Sequence, residues 1–239
     1  MPLPTIATPT YELELPSTGK KIKYRPFLVK EEKLLVLALE SEDTKQISTA
    51  IKAVLKNCIQ TRGVKVENLP TFDIEYLFLN IRGKSVGEEI EVNLIAPDDK
   101  VTSVPVTINI DDIKISKKEN HTNKIKLDET LMMQMKYPSL NEFVKNNFDF
   151  DGEVDMDQSF DLIASCIDKI YSEDEVWSTA DCTKKEVKDF LEQMNSLQFK
   201  EIESFFESMP KLSHTVTFTN PKTQVESTVV LEGLSSFFA

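Results

Sequence analysis

The sequence predicts an α+β fold. Three observations carry it: alternation of apolar and polar residues at both ends and in the middle of the chain, apolar stripes of helical spacing between them, and long helical patterns from Ser139 to Met209. Alternation marks strands with one buried face, whereas recurrence at i, i+3, i+4 and i+7 marks helices with one buried stripe. Strand and helix patterns come in separate runs, which is the α+β arrangement.

Residues 1–10, with Pro2, Pro4 and Pro9, are expected to form an extended arm, because each proline fixes its own φ and biases its neighbour away from helix. Tyr11, Leu13 and Leu15 alternate with Glu12 and Glu14. Across Pro16-Ser17-Thr18-Gly19, Ile22 and Tyr24 alternate with Lys21, Lys23 and Arg25, so a hairpin with an acidic strand facing a basic one is expected. From Val29 the period changes to helical. Leu34, Leu35, Leu37 and Ala38 mark a first helix, and Ile47, Ile51, Val54, Leu55 and Cys58 the buried face of a second. A third follows, with Thr71 as N-cap and Ile74, Leu77, Phe78 and Ile81 as its stripe.

Ile90, Val92 and Leu94 alternate on one strand and Val104, Val106, Ile108 and Ile110 on its return; Pro105 lacks an N–H, which places that return at a sheet edge. Ile113 with Ile115, and Ile125 with Leu127, read as shorter strands, and Met132, Met133 and Met135 as gap-filling core or interface residues. Ser139 and Glu142 have capping-box spacing for a short helix. Phe160, Ile163, Ala164, Ile167 and Ile170 mark the next helix, Thr183 and Glu186 a second capping box, and Ile202, Phe205, Phe206 and Met209 the face of a final helix stopped by Pro210. A hairpin closes the chain, with His214, Val216 and Phe218 on one strand and Val225, Val229 and Leu231 on the other. The expected division is an N-terminal α+β domain at 1–138 and a C-terminal helical domain at 139–239 that ends in this hairpin.

The bulk numbers narrow the class. With 239 residues and 40% apolar residues, the chain can bury a sizeable core. A net charge of −12 works against nucleic acid as a partner, since phosphate binding requires clustered Lys and Arg. No apolar run approaches the ~20 residues of a membrane span, and no signal-peptide pattern opens the chain. Cys58, Cys166 and Cys182 are scattered without zinc-ligand spacing, which fits core thiols in a reducing compartment.

Catalytic and metal motifs are sparse. Asn147, Asp149, Asp151 and Asp155 fall at positions 1, 3, 5 and 9 of an EF-hand frame with Gly152 at the turn, but the closing position holds Gln158 where a bidentate Glu is needed. The bland reading is a solvated acidic linker. His121 and His214 are the two histidines, and neither has a nucleophile nearby in sequence. Gly83-Lys84-Ser85 is the tail of a P-loop without its first glycine. No cofactor is indicated. The remaining signal is aromatic: Phe237 and Phe238, behind Leu234, either fold back as core or anchor a partner, and Tyr11 at the end of the N-terminal arm is a further contact candidate.

Three stretches taken together resemble a known family: TPTYELELPSTGKKIKYRPFLVKEEKLL near the start, FDIEYLFLNIRGKSVGE in the middle, and FFESMPKLSHTVTFTNPKT with LEGLSSFF at the end. They are similar to the T4-type bacteriophage baseplate proteins, from about Pro9 to Phe238. The resemblance implies a non-enzymatic component of the baseplate hub of a contractile tail, a structural subunit or an assembly chaperone. It would be made in the host cytoplasm and work by protein–protein binding in an oligomeric state set by assembly. Its partners would be other baseplate or tail proteins, with no nucleic acid and no membrane, and the family offers no catalytic residues to carry over. The competing readings are a hydrolase using Asp149, Asp151 and Asp155, and an adaptor for host proteins.

Overall fold

The computed structural model describes residues 6–140 and 156–237. Among them are six α-helices and eleven strands in small antiparallel sheets, an α+β architecture as the sequence predicts. The first hairpin, β1 (Tyr11–Glu14) and β2 (Lys21–Tyr24), pairs Glu12 with Lys23 and Glu14 with Lys21, so the acidic strand does face the basic one, while Leu13 and Ile22 point inward. The outer edge of β2 is occupied. Arg25 N donates to Cys58 O (2.9 Å) and Gln60 N to Lys23 O (2.8 Å), which ties the hairpin to the end of the second helix.

That helix, α2 (Thr44–Cys58), starts on Asp43, whose carboxylate accepts from Lys45 N at 2.8 Å, and it buries all five residues of its expected stripe. It packs against α1 (Val29–Glu40). The third helix, α3 (Thr71–Val86), runs through the centre and buries Ile74, Leu77, Leu79 and Ile81, so more than one of its faces is covered. Thr71 is not its N-cap. Pro70 occupies that position, and Thr71 is the first helical residue, buried, with its N–H donating to Pro138 O at 3.2 Å. The Pro138 carbonyl satisfies the first of the N–H groups that the helix start leaves free.

Strands β3 (Glu89–Ile95) and β4 (Ser103–Asn109) form a two-stranded sheet, with Ile90 opposite Ile108, Val92 opposite Val106 and Leu94 opposite Val104. Ile110 N donates to Glu88 O and Ala96 N to Thr102 O. Bonded pairs alternate along an antiparallel ladder, so Pro105, opposite Asn93, falls at a non-bonded position where an N–H would point out of the sheet. The proline therefore costs no ladder bond and guards the edge.

Strand β5 (Lys114–Ser116) joins β10 (Lys211–Thr219) and β11 (Glu226–Glu232) in the order β11-β10-β5. Val225 lies just before β11, in the turn closed by the bond from Asn220 N to Val225 O, and is 45% exposed instead of extending the strand pattern. A fourth sheet has the order β6-β7-β8-β9, made of Lys124–Lys126, Met132–Met135, Ile167–Tyr171 and Val176–Ser178. Here one expectation fails. The helix α4 (Met156–Cys166) ends before Ile167, and Ile167 and Ile170 are strand residues paired with Met135 and Met133. Spacing of three would put the two on opposite faces of a regular strand, but the register shift at Asp168 sets Ile167 and Ile170 opposite Met135 and Met133, two residues apart on β7. The helices α5 (Lys184–Glu192) and α6 (Ser196–Ser208) begin at Thr183, with its capping box to Glu186, and at Asn195. The short helix expected from Ser139 falls largely on residues outside the described ones.

Buried side chains form two clusters. The first takes residues from Leu13 to Ile113, Leu140, and Leu212 to Phe237; the second runs from Ile125 to Phe205 and includes Met133, Met135, Ile167, Leu191 and Ile202. The C-terminal hairpin thus fills the core built by the N-terminal half, and a cut at residue 138 would part it from that core. A polar tie holds the tips of the two long hairpins together, with Asn220, fully buried, donating to both oxygens of Asp98 at 3.1 Å.

Candidate partner-binding face

Local chemistry at the start of α1 fixes how this helix is presented. Glu31 is 1% exposed; it accepts from Arg25 Nη2 at 3.0 Å and from Leu28 N at 2.8 Å. Burial alone would raise its pKa, but the hydrogen bonds from Arg25 and Leu28 outweigh burial and hold the carboxyl below its usual range. Arg25 also donates to Pro26 O at 2.8 Å and lies 3.8 Å from Cys58 Sγ. Burial pushes the Cys58 thiol up to about 11, so it stays protonated and packs as an inert core group.

Beyond that anchor the sequence LLVLAL runs from Leu34 to Leu39. Six apolar residues at 100° each wrap past a full turn, and a helix that docks by one side must leave some of them out. Ala38 is buried and Leu35 partly buried, whereas Leu28, Val29, Leu34, Val36, Leu37 and Leu39 are exposed. The expected stripe of Leu34, Leu35, Leu37 and Ala38 is therefore split, with Leu34 (40%) and Leu37 (54%) facing solvent. Between α1 and α2 lies a groove of about 440 Å³, walled by Leu34 and Leu37 on one side and by the small Ala50 and Ala53 on the other, with Lys45 at its rim. No other element among the described residues carries as many exposed large apolar side chains. Exposed apolar side chains concentrated on one helix make α1 the candidate for an interaction surface.

The residues singled out from sequence are placed otherwise. Phe237 (0%) and Leu234 (1%) lie in a 3-10 turn that packs into the first core, so the chain itself covers them. Phe238 and the acidic positions Asn147, Asp149, Asp151 and Asp155 lie outside the described residues. Tyr11 is half-buried, its ring 5.9 Å from that of Tyr24 and under the Lys84 ammonium at 5.5 Å. Cys58 and Cys166 are buried and Cys182 is exposed, all three free thiols. Among the described residues no three or more His, Cys, Asp or Glu gather as metal ligands, and no helix is long and apolar enough to cross a membrane.

The structure does bring partners to His121 that the sequence leaves far apart. Its Nδ1 lies 2.9 Å from Ser208 Oγ and its Nε2 2.9 Å from Tyr137 Oη, with the ring near those of Tyr137 and Phe205. Ser208 spends its one hydroxyl proton on Ser204 O at 2.6 Å, so it accepts from His121 Nδ1–H, and Nε2 accepts from Tyr137. This is the reverse of a histidine taking a serine's proton. The cluster is a joint instead, since Tyr137 also meets Phe72 edge-on in α3 while Phe205 belongs to the second core. Burial, and next to it the charge of Lys117, lower the His121 pKa. A depressed folded pKa means the unfolded chain binds the proton better, so this contribution is full above about pH 6.5 and is lost as pH falls through the folded value. Urea midpoints should accordingly drop more steeply between about pH 7 and 5 in the native protein than in His121→Gln. Equal slopes would remove His121 from the account.

The larger concave feature, about 650 Å³, follows the seam between the cores beside Tyr137, Pro70 and Gln134. Its one lining carboxylate among the described residues, Glu67, is already paired with Lys52 at 2.5 Å. In comparison with known proteins, a family model described as T4 bacteriophage base plate protein matches residues 8–239. No curated protein and no solved structure matches the chain.

Proposed function

Because this chain belongs to the T4 bacteriophage base plate protein family, we infer that it is a structural or assembly component of a phage tail base plate and works by binding other base-plate proteins. The observation that carries the binding reading is the exposed apolar face of α1 and its groove against α2. Each leucine there, if covered by a partner, contributes roughly 1 kcal/mol from the surface it still exposes. The acidic net charge favours partners with basic rims around an apolar centre.

Within the base plate, the hub is the proposed place, as a resident subunit or as a chaperone that leaves after assembly. Support for the hub comes from the resemblance of the three sequence stretches quoted above. Co-purification from infected cells tests the reading: the protein is expected in base-plate or hub-precursor fractions. Absence from all tail fractions would overturn it, and recovery bound to host proteins from uninfected lysate would replace it with a host adaptor.

A further inference from the structure

We propose that the outer edge of β11 is a second docking site, independent of the α1 face, which takes an extended segment of another protein as an added strand with basic residues at its ends. The geometry follows from the ladder. Asn220 N donates to Val225 O and Gly233 N to Leu212 O, both at 2.9 Å, and these two bonded pairs bracket the β10–β11 register. Bonded pairs recur every second residue, so Ser227, Val229 and Leu231 turn their backbone groups toward β10. Glu226, Thr228, Val230 and Glu232 turn theirs outward. The carbonyl of Glu232 is taken by Ser236 Oγ at 2.6 Å, which closes that end and, among the described residues, leaves the edge open at Glu226, Thr228 and Val230.

The other edges are protected or short, and that contrast singles out β11. The β4 edge carries Pro105 at its outward position and the β3 edge Glu89 and Glu91. By the same alternation the β1 edge turns out Glu12 and Glu14, and β2 is covered by residues 58–60. Strands β5, β6 and β9 are three residues each. The seven-residue β11 presents Thr228 and a Val230 that is 55% exposed at its centre, with neither proline nor charge. Main-chain bonds to such an edge supply affinity and the flanking side chains supply selection.

Charge chooses the occupant. Glu226 and Glu232 flank the open stretch, and Glu232 is only partly met by Lys211 at 3.5 Å. A second copy laid antiparallel along the whole strand would set Glu226 against Glu232 of the copy at both ends, between two chains of charge −12. A strand with Lys or Arg at its ends meets both carboxylates.

The test uses the whole chain and two synthetic peptides of alternating valine and threonine, one ended by lysines and one by glutamates. With the lysine peptide, amide exchange at Thr228 and Val230 is expected to slow about tenfold or more, and with the glutamate peptide to stay unchanged. Val230→Pro removes an outward N–H without breaking a β10 bond and should abolish the effect at an unchanged circular dichroism spectrum. Should that variant not fold, the paired reversal Glu226→Lys with Glu232→Lys serves, and it should switch the preference to the glutamate peptide. No slowing at millimolar peptide, equal slowing by both peptides, or slowing that survives Val230→Pro would overturn the proposal. So would a concentration-dependent dimer of the free protein that Val230→Pro abolishes, which would give the edge to a second copy.

Discussion

Phe237→Ala is expected to lower the stability of this protein by about 3–5 kcal/mol, the cost of emptying a fully buried aromatic site that relaxes only in part. Phe237 is 0% exposed and sits with Leu234, Leu231 and Leu212 in the core built by the N-terminal half. The turn that carries it is held by Gly233, at φ +73°, and by its N–H bond to Leu212 O. Urea unfolding of the variant measures the loss directly. A variant as stable as the parent, yet missing from base-plate fractions, would instead make the tail a partner anchor. The same residue therefore separates a core role from a binding role in one pair of measurements.

The double change Leu34→Asp with Leu37→Asp should do the opposite. Both side chains are about half exposed, so the folded monomer loses roughly 1 kcal/mol per residue from the half already covered, with a few tenths more for Asp in place of Leu in a helix. Partner affinity should fall about 100-fold, near 3 kcal/mol, because two carboxylates must be buried without a counter-charge in an apolar contact. Thermal unfolding together with recovery of the variant in base-plate fractions reads both halves. Normal recovery would clear the α1 face of a role in assembly, and a large fall in melting temperature would show these leucines to be core.

Legibility in the sequence followed the length over which a signal persists. The α2 stripe, the acidic strand facing the basic one, the Thr183 capping box and the edge position of Pro105 all depend on residues within a turn or a hairpin of one another, and each is found as expected. Thr71 as N-cap failed because Pro70 O already accepts from Ile74 N, so the helix starts one residue earlier. Ile167 and Ile170 failed because spacing of three reads as helical, while a bulge at Asp168 lets a strand carry both opposite Met135 and Met133. The candidate face on α1 could have been suspected from LLVLAL alone, since no helix can bury six consecutive apolar residues against one neighbour.

The sequence by itself determined the α+β class, most element positions and the family, because each rests on local periodicity or on short stretches kept in order. Only the tertiary structure decided that the C-terminal hairpin and Phe237 complete the N-terminal core, that His121 joins Tyr137 and Ser208, and which strand edge stays open. Those outcomes depend on contacts between elements distant in the chain, such as His121 with Ser208 87 positions on, or on how each strand edge compares with the others. Periodicity carries no record of either.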